Sequence, residues 1–286
     1  MKKKHKLIIA LSTLFLVFVL CFVYALWANT EVVLTQYSVK SKNLPQSFED
    51  FKIAHISDLH NDELGKDNDK VITILRDVKP DIIAVTGDLI DSYDTDTEIA
   101  LRFMKKALEI APCYYVNGNH EERVVESYET LRAELAIMGV NVLENKSLAF
   151  ERGGESINIV GVSDPGFETD YLYGDTEGVV RKHLDELTKD KDGFTLLLSH
   201  RPELFELYVE KDMDLVLTGH AHGGQFRLPF VGGLYAPNQG LFPHYDSGIF
   251  TEDNTNMIVS RGLGNSLFPL RLNNRPEVVV VTFTNK

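Results

Sequence analysis

The sequence predicts an α/β fold in which parallel strands carry polar side chains to one edge of a sheet. Residues 82–85 (Ile-Ile-Ala-Val) form an apolar run bounded by Pro80 and Gly87, the pattern of a strand buried on both faces. The run gives way to Gly87-Asp88, so a carboxylate emerges at a strand's carboxyl end, where open α/β sheets bind ligands. Asp58, Asp88 and Asn119 lie 30 and 31 residues apart, the length of one βαβ unit.

The elements follow in order. Residues 7–27 are 21 residues without a charge, enough to span a bilayer, which needs about 20. Lys2, Lys3, Lys4 and Lys6 precede them, so the positive-inside rule keeps the N-terminus cytoplasmic and sends the rest outside. Tyr24 and Trp27 sit where interfacial aromatic anchors would. The rival is a cleaved signal peptide, whose apolar core is shorter, about 7–15 residues, and ends at an A-x-A-like site. No such site stands near ALWANT, Cys21 after Leu20 makes a poor lipoprotein site, and no twin arginine is present. Residues 1–28 therefore read as a basic tail and single-pass membrane anchor, and residues 29–50 as a connector with strand character at 32–39. Residues 51–286 read as one domain.

Within that domain, residues 52–56 are a strand ending at Ser57-Asp58-Leu59-His60, and a helix at 68–78 keeps Val71, Ile74, Leu75 and Val78 on one face. After the strand at 82–85, a helix is expected over 95–110, then a short strand at 114–116 ending in Asn117-Gly118-Asn119-His120-Glu121. A helix over 122–138 stops at Gly139. The second half is richer in strand. Residues 156–162 end at Ser163-Asp164-Pro165, and an amphipathic helix covers 177–189. Residues 194–198 end at Ser199-His200, Pro202 opens a short helix, and residues 214–217 end at Gly219-His220-Ala221-His222. Further strands are expected at 249–250, 257–260 and 278–283.

Bulk properties exclude several classes. Cys21 and Cys113 are the only cysteines, which leaves no disulfide framework and no thiolate zinc site. Net charge is −13; because residues 1–28 hold four lysines and no acid, the remainder carries −17. Such a domain has no electrostatic footprint for nucleic acid or anionic lipid.

Five of the polar strand ends hold a possible metal ligand: Asp58/His60, Asp88, Asn119, His200 and His220/His222. In an extended segment, positions i and i+2 share a face, so His220 and His222 can point one way. Carboxylate, imidazole and amide without sulfur suit Mn, Fe, Zn or similar divalent ions. Seven ligands exceed what one ion needs, and two ions sharing Asp88 use them. Two such ions can lower the pKa of a bridging water and clamp an in-line displacement at phosphorus.

The ordered motifs D-x-H, G-D-x-x-D, G-N-H-E, H and G-H-x-H resemble those of the calcineurin-like metallophosphoesterase superfamily, over roughly residues 52–283. The runs HAHGGQFRLP (220–229), VSRGLGNS (259–266) and RPE (275–277) resemble its bacterial membrane-associated phosphodiesterase-like branch. The resemblance implies a four-layer αββα sandwich. It assigns Asp58, His60, Asp88 and His222 to one metal, and Asp88, Asn119, His200 and His220 to the other. His120 would stand beside the phosphate, stabilising the transition state or protonating the leaving alkoxide. The implied reaction is attack of a metal-bridging hydroxide on a phosphodiester, or on a lipid- or sugar-linked pyrophosphate, at the membrane face. Phosphomonoester or phosphoprotein hydrolysis is the alternative within the enzyme class. A non-catalytic, metal-stabilised surface domain is the alternative outside it.

Other positions have competing readings. Asp91 fits a cap better than a metal ligand. Glu121 either orients His120 or is a first-turn helix acid. His55 falls on the face opposite Asp58 and reads as structural, and His183 as a helix-surface residue. Arg227, Arg261 and Arg271 are candidates for gripping substrate oxygens, or for ion pairs in so acidic a domain. His244 and Tyr245 are placed for a substrate or a loop contact. The pocket loops are expected at 61–67, 164–175 and 223–247.

Overall fold

The computed structural model describes residues 2–170, 173–189, 192–265 and 268–284. Residues 171–172 of the 164–175 loop and Ser266 of the 259–266 run lie outside them. The first half comprises α1 (Lys2–Thr30), β1 (Val33–Val39), β2 (Lys52–Ile56), α2 (Asp69–Val78), β3 (Ile82–Thr86), α3 (Glu98–Leu108), β4 (Cys113–Val116), α4 (Asn119–Arg123), α5 (Val125–Met138) and β5 (Asn141–Val142). The second half comprises β6 (Lys146–Arg152), β7 (Glu155–Gly161), α6 (Thr176–Leu187), β8 (Thr195–Leu198), α7 (Phe205–Glu210), β9 (Leu215–Thr218), β10 (Gly248–Glu252), β11 (Thr255–Val259) and β12 (Glu277–Phe283).

These strands form two six-stranded mixed sheets, ordered β1-β12-β2-β3-β4-β5 and β10-β11-β9-β8-β7-β6. Strands β2 to β5 run parallel, as do β7, β8, β9 and β11. The period-2 alternation of each strand explains why the apolar runs are continuous. Ile82 and Ala84 enter the core between the sheets with Ile159, Leu196 and Leu217 of the second sheet. Ile83 and Val85 face the other way, onto Val71 and Leu75 of α2, Phe103 of α3 and Leu131 of α5. On the far side, Leu197 and Val216 pack under Val180 and Leu184 of α6 and Phe205 and Tyr208 of α7. Helix, sheet, sheet, helix is the four-layer αββα order.

Several elements differ from the sequence reading. The stretch expected as a connector contributes β1, which pairs in parallel with β12 from Val33↔Glu277 to Val39↔Phe283, and Phe48 is fully buried. The sheet thus begins at Val33 rather than near Phe51. The helix expected over 122–138 is broken at Val124 (φ −131°, ψ 51°), separating α4 from α5. Strand β6 was not anticipated, because only its inward residues Leu148 and Phe150 are apolar enough to signal the sheet.

Helix α1 runs to Thr30, beyond the expected end, and Lys4–Thr30 is long and apolar enough to cross a membrane by length and composition. Its C-terminal end is attached to the domain. Asn29 Nδ2 donates to the Arg271 carbonyl (2.8 Å) while Arg271 N donates to Asn29 Oδ1 (2.7 Å). The Arg275 guanidinium lies 5.4 Å from the Trp27 ring centroid, within cation–π range.

Candidate metal centre

Parallel strands of both sheets end at one edge, and the polar motifs follow those ends directly. Close approach there requires glycine. At Gly87, φ is +85°, and an added Cβ would sit 2.7 Å from Gly118 N and 2.8 Å from His200 Nδ1. The polar residues themselves adopt unusual backbone: φ is 54° at Asp58, 48° at His60, 53° at Asp88, 66° at His220 and 47° at His222. Left-handed conformation at a non-glycine residue costs roughly 1–2 kcal/mol, so the surrounding fold holds these side chains in place.

The structure brings Asp58, His60, Asp88 and His222 together with one donor atom each, all within 4.8 Å, and likewise Asp88, His200 and His220. His60 Nε2 lies 3.1 Å from His222 Nε2 and 3.5 Å from Asp88 Oδ2. His222 Nε2 is 3.3 Å from Asp58 Oδ1, and His200 Nε2 is 3.1 Å from Asp88 Oδ2. Asp88 therefore belongs to both groups. All seven sequence-predicted ligand positions are buried.

The donor set fits divalent cations. Asn119 Oδ1 is buried without a hydrogen-bond partner; such an orphaned acceptor costs about 1–3 kcal/mol, and a cation beside it removes that cost. His200 Nδ1 lies 2.7 Å from the Thr86 carbonyl, which only accepts, so the Nδ1 proton is fixed and Nε2 faces Asp88. A ligating histidine is commonly oriented this way. Burial, reinforced by Arg201 and His200, holds His220 well below its ordinary pKa; burial, His60 and Arg271 do the same for His222. Both are therefore neutral, the form that binds metal. Burial works against the Asp88 anion, yet the adjoining His200 and His120 hold its carboxyl well below the usual range. His200, despite its own burial, is pushed up to about 10 by that carboxylate, so a cation at this position would take the place of its Nε2 proton.

Two carboxylates do more than the sequence reading gave them. Glu121 is the first-turn acid of α4, as one of its two readings had it, and it is fully buried. Its Oε2 accepts from Asp88 N (2.9 Å) and Gly118 N (2.8 Å), and its Oε1 from Leu89 N (2.7 Å). This buried carboxylate ties the G-D-x-x-D loop to the G-N-H-E turn. Asp91 does cap, accepting from Tyr93 N at 2.7 Å. It also places Oδ2 3.3 Å from His60 Nδ1 and 3.7 Å from His120 Nδ1. His120 Nδ1 accepts from Ser92 N (3.1 Å), and its ring stands edge-on to His60 at 4.4 Å between centroids.

Arg201 was not singled out by sequence. It is buried, clasping Asp164 through Nε (2.5 Å) and Nη2 (2.9 Å), with Nη1 3.1 Å from His220 Nε2. Asn238 Oδ1 lies 2.9 Å from the same His220 nitrogen. The available signal was the pairing of a strand-end Asp164 with an arginine directly after His200.

The other arginines are engaged by protein groups. Arg227 pairs with Asp246 (3.0 Å) and Arg261 with Glu277 (2.6 Å), the ion-pair alternative. Arg271 is buried, with Nη1 2.5 Å from the Arg261 carbonyl and Nη2 3.3 Å from His222 Nδ1. His55 is buried on Thr86 Oγ1 (2.8 Å), and burial pushes its pKa down to about 3. His183 pairs with Glu168. Tyr245 packs against Phe205 and Phe250, with His244 beside it.

Known proteins agree with this architecture. Residues 51–224 match the calcineurin-like phosphoesterase family. The Bacillus subtilis metallophosphoesterase YkuE is 32% identical over 260 residues, 87% of this chain and 84% of its own. The Escherichia coli phosphodiesterase YaeI is 29% identical over 237 residues, 81% of each chain. Among solved structures, TT1561 of Thermus thermophilus shares the fold with a TM-score of 0.53 at 17% identity, covering 74% of this chain and 90% of its own. The chain belongs to the calcineurin-like phosphoesterases, a family of metal-dependent phosphoester hydrolases.

Proposed function

We propose that this protein hydrolyses phosphodiester or pyrophosphate bonds with two divalent ions, acting on a membrane- or envelope-associated substrate. The observation that carries this reading is the Asp88 carboxylate, whose Oδ2 faces His60 Nε2 at 3.5 Å and His200 Nε2 at 3.1 Å. In this reading Asp58, His60, Asp88 and His222 hold one ion; Asp88, Asn119, His200 and His220 hold the other. Ions of the Mn, Fe or Zn type suit these donors. When bound, they supply Lewis acidity that lowers the pKa of water and offsets charge on phosphoryl oxygens.

The chain's own groups do the rest. In its imidazolium form His120 would direct Nδ1–H toward the Asp91 carboxylate, 3.7 Å away, and could pass its Nε2 proton to a leaving alkoxide. The product is the neutral ring, whose Nδ1 accepts from Ser92 N. Glu121 keeps the Asp88 turn in its left-handed conformation. Arg201 and Asn238 fix the orientation of His220.

The name of YaeI supports diester preference. Helix α1 supports a single-pass anchor with its basic end cytoplasmic and the phosphoesterase domain outside. The test is the full chain in detergent with Mn²⁺, assayed on bis-p-nitrophenyl phosphate and p-nitrophenyl phosphate, with metal analysis. Faster diester turnover with two ions per chain is expected. Monoester preference would remove the diester assignment, and two bound ions without turnover would remove the enzymatic one.

A further inference from the structure

We infer that an apolar cavity beside His222 receives a hydrocarbon chain of the substrate, which makes that substrate a lipid-linked phosphoester drawn from the bilayer holding α1. This rests on the phosphoesterase reading above and names its substrate class. The cavity measures about 290 Å³ and is walled by Phe226, Leu234, Tyr235, Leu241, Phe268 and His222. Small-molecule sites run roughly 300–1,000 Å³, so it suits a single chain rather than a whole lipid. Walls of this kind stabilise methylenes and penalise an unpaired polar group. His222 also belongs to the metal cluster, with Nε2 3.3 Å from Asp58 Oδ1. A chain filling the cavity therefore brings its attached phosphate toward that cluster.

Continuity with α1 identifies the source of the chain. The reciprocal Asn29–Arg271 hydrogen bonds fasten the end of α1 to the segment that follows Phe268. Gln225 Nε2 donates to the carbonyls of Phe268 and Leu270, both at 2.9 Å. Arg227 N donates to the Leu272 carbonyl (2.9 Å), and Arg271 Nη2 lies 3.3 Å from His222 Nδ1. One short segment thus touches the membrane-length helix, the cavity wall and a cluster imidazole. Its outer residues Phe268 and Leu272 are exposed, as are Phe230 and Val231 at the tip of the hairpin that pairs Arg227–Leu228 with Gly232–Gly233, and Phe242, whose N–H donates to Leu234 O. Such an apolar collar is unfavourable in water and favourable at a lipid headgroup boundary.

The test uses the full chain in detergent micelles with Mn²⁺ and two esters sharing one leaving group, p-nitrophenyl methyl phosphate and p-nitrophenyl dodecyl phosphate. The expected kcat/KM ratio favours the dodecyl ester by ~10-fold or more, within what burying two methylenes supplies. Leu234→Trp, which fills the cavity, and Leu241→Glu, at an exposed position, should each bring the ratio toward unity. Micelle partitioning is common to all variants and cannot produce that change. Independently of turnover, dodecyl phosphate carrying a terminal diazirine should cross-link to peptides containing Phe226, Leu234 or Phe268. Equal turnover of the two esters, a ratio unmoved by both variants, or cross-links elsewhere would overturn the inference while leaving the phosphoesterase reading intact. Loss of turnover on both esters would overturn both.

Discussion

At the shared edge, the first sheet supplies both carboxylates, the amide and one imidazole, Asp58, Asp88, Asn119 and His60, whereas the second supplies imidazoles alone, His200, His220 and His222. The supports differ in sign as well. On the first sheet a buried anion, Glu121, collects the N–H groups of Gly118, Asp88 and Leu89. On the second a buried cation, Arg201, is neutralised by Asp164 and reaches His220 Nε2 at 3.1 Å. Two acids near one another repel, and Glu121 is pushed up to about 7 by burial and by the Asp88 charge. The first sheet therefore gains most from cations at the edge. The second is pre-neutralised and mainly sets the orientation of its rings.

The largest expected effect follows from Asp88, the side chain common to the Asp58/His60/Asp88/His222 and Asp88/His200/His220 groups. Asp88→Asn should abolish turnover and reduce metal content at both positions, measured by elemental analysis of the purified chain. Two ions retained at wild-type stoichiometry would show that the sheets assemble independent sites. Next is His120, on the first-sheet side but outside the shared group. His120→Ala should retain both ions and lose about 10²–10⁴-fold in rate, as for a general acid. Unchanged turnover would take the ring out of the reaction.

The comparison also explains what was legible in the sequence. Strand ends were readable because a buried strand leaves a continuous apolar run, and a ligand directly after it stands out; Asp58, Asp88, Asn119, His200 and the His220/His222 pair all follow that rule. Supports were not readable, because their partners are set by tertiary contact. Glu121 was visible as a helix-start acid, yet its acceptance from the N–H groups of Asp88, Leu89, Ile90 and Gly118 depends on how two loops meet. Arg201 looked like any arginine until Asp164, 37 residues earlier in the chain, closed on it. The strand character of 32–39 was legible for the same reason as the other strands, but its place in the sheet was not: only its parallel pairing with β12, from Val33↔Glu277 to Val39↔Phe283, makes it part of the sheet.

The two supports should be separable at the level of metal affinity. Changes in groups that orient ligands typically cost about 10–100-fold in affinity. Glu121→Gln should weaken both ions by such a factor, because it loosens the turn that carries the shared Asp88. Arg201→Lys should weaken only the ion held by His200 and His220, because the bidentate grip on Asp164 is lost while the Asp88 turn is untouched. Calorimetric titration of the metal-free chain with Mn²⁺ resolves the two cases. Equal losses at both sites in Arg201→Lys would mean that the second sheet's support reaches across to the first.

The smallest effect is expected farthest from the strand ends. Arg227 is partly exposed and paired with Asp246 at 3.0 Å, with a further bond to Ser247 Oγ at 2.8 Å. Partly exposed pairs of this kind contribute about 0–1 kcal/mol. Arg227→Gln should therefore shift thermal unfolding slightly and leave kcat/KM on bis-p-nitrophenyl phosphate within about fivefold, the factor that such an energy allows. A larger loss confined to KM would mean that the guanidinium leaves Asp246 to bind phosphate when substrate arrives. The loop after the second sheet would then supply charge to the reaction as well as orientation, and the division of labour between the sheets would need to be redrawn around it.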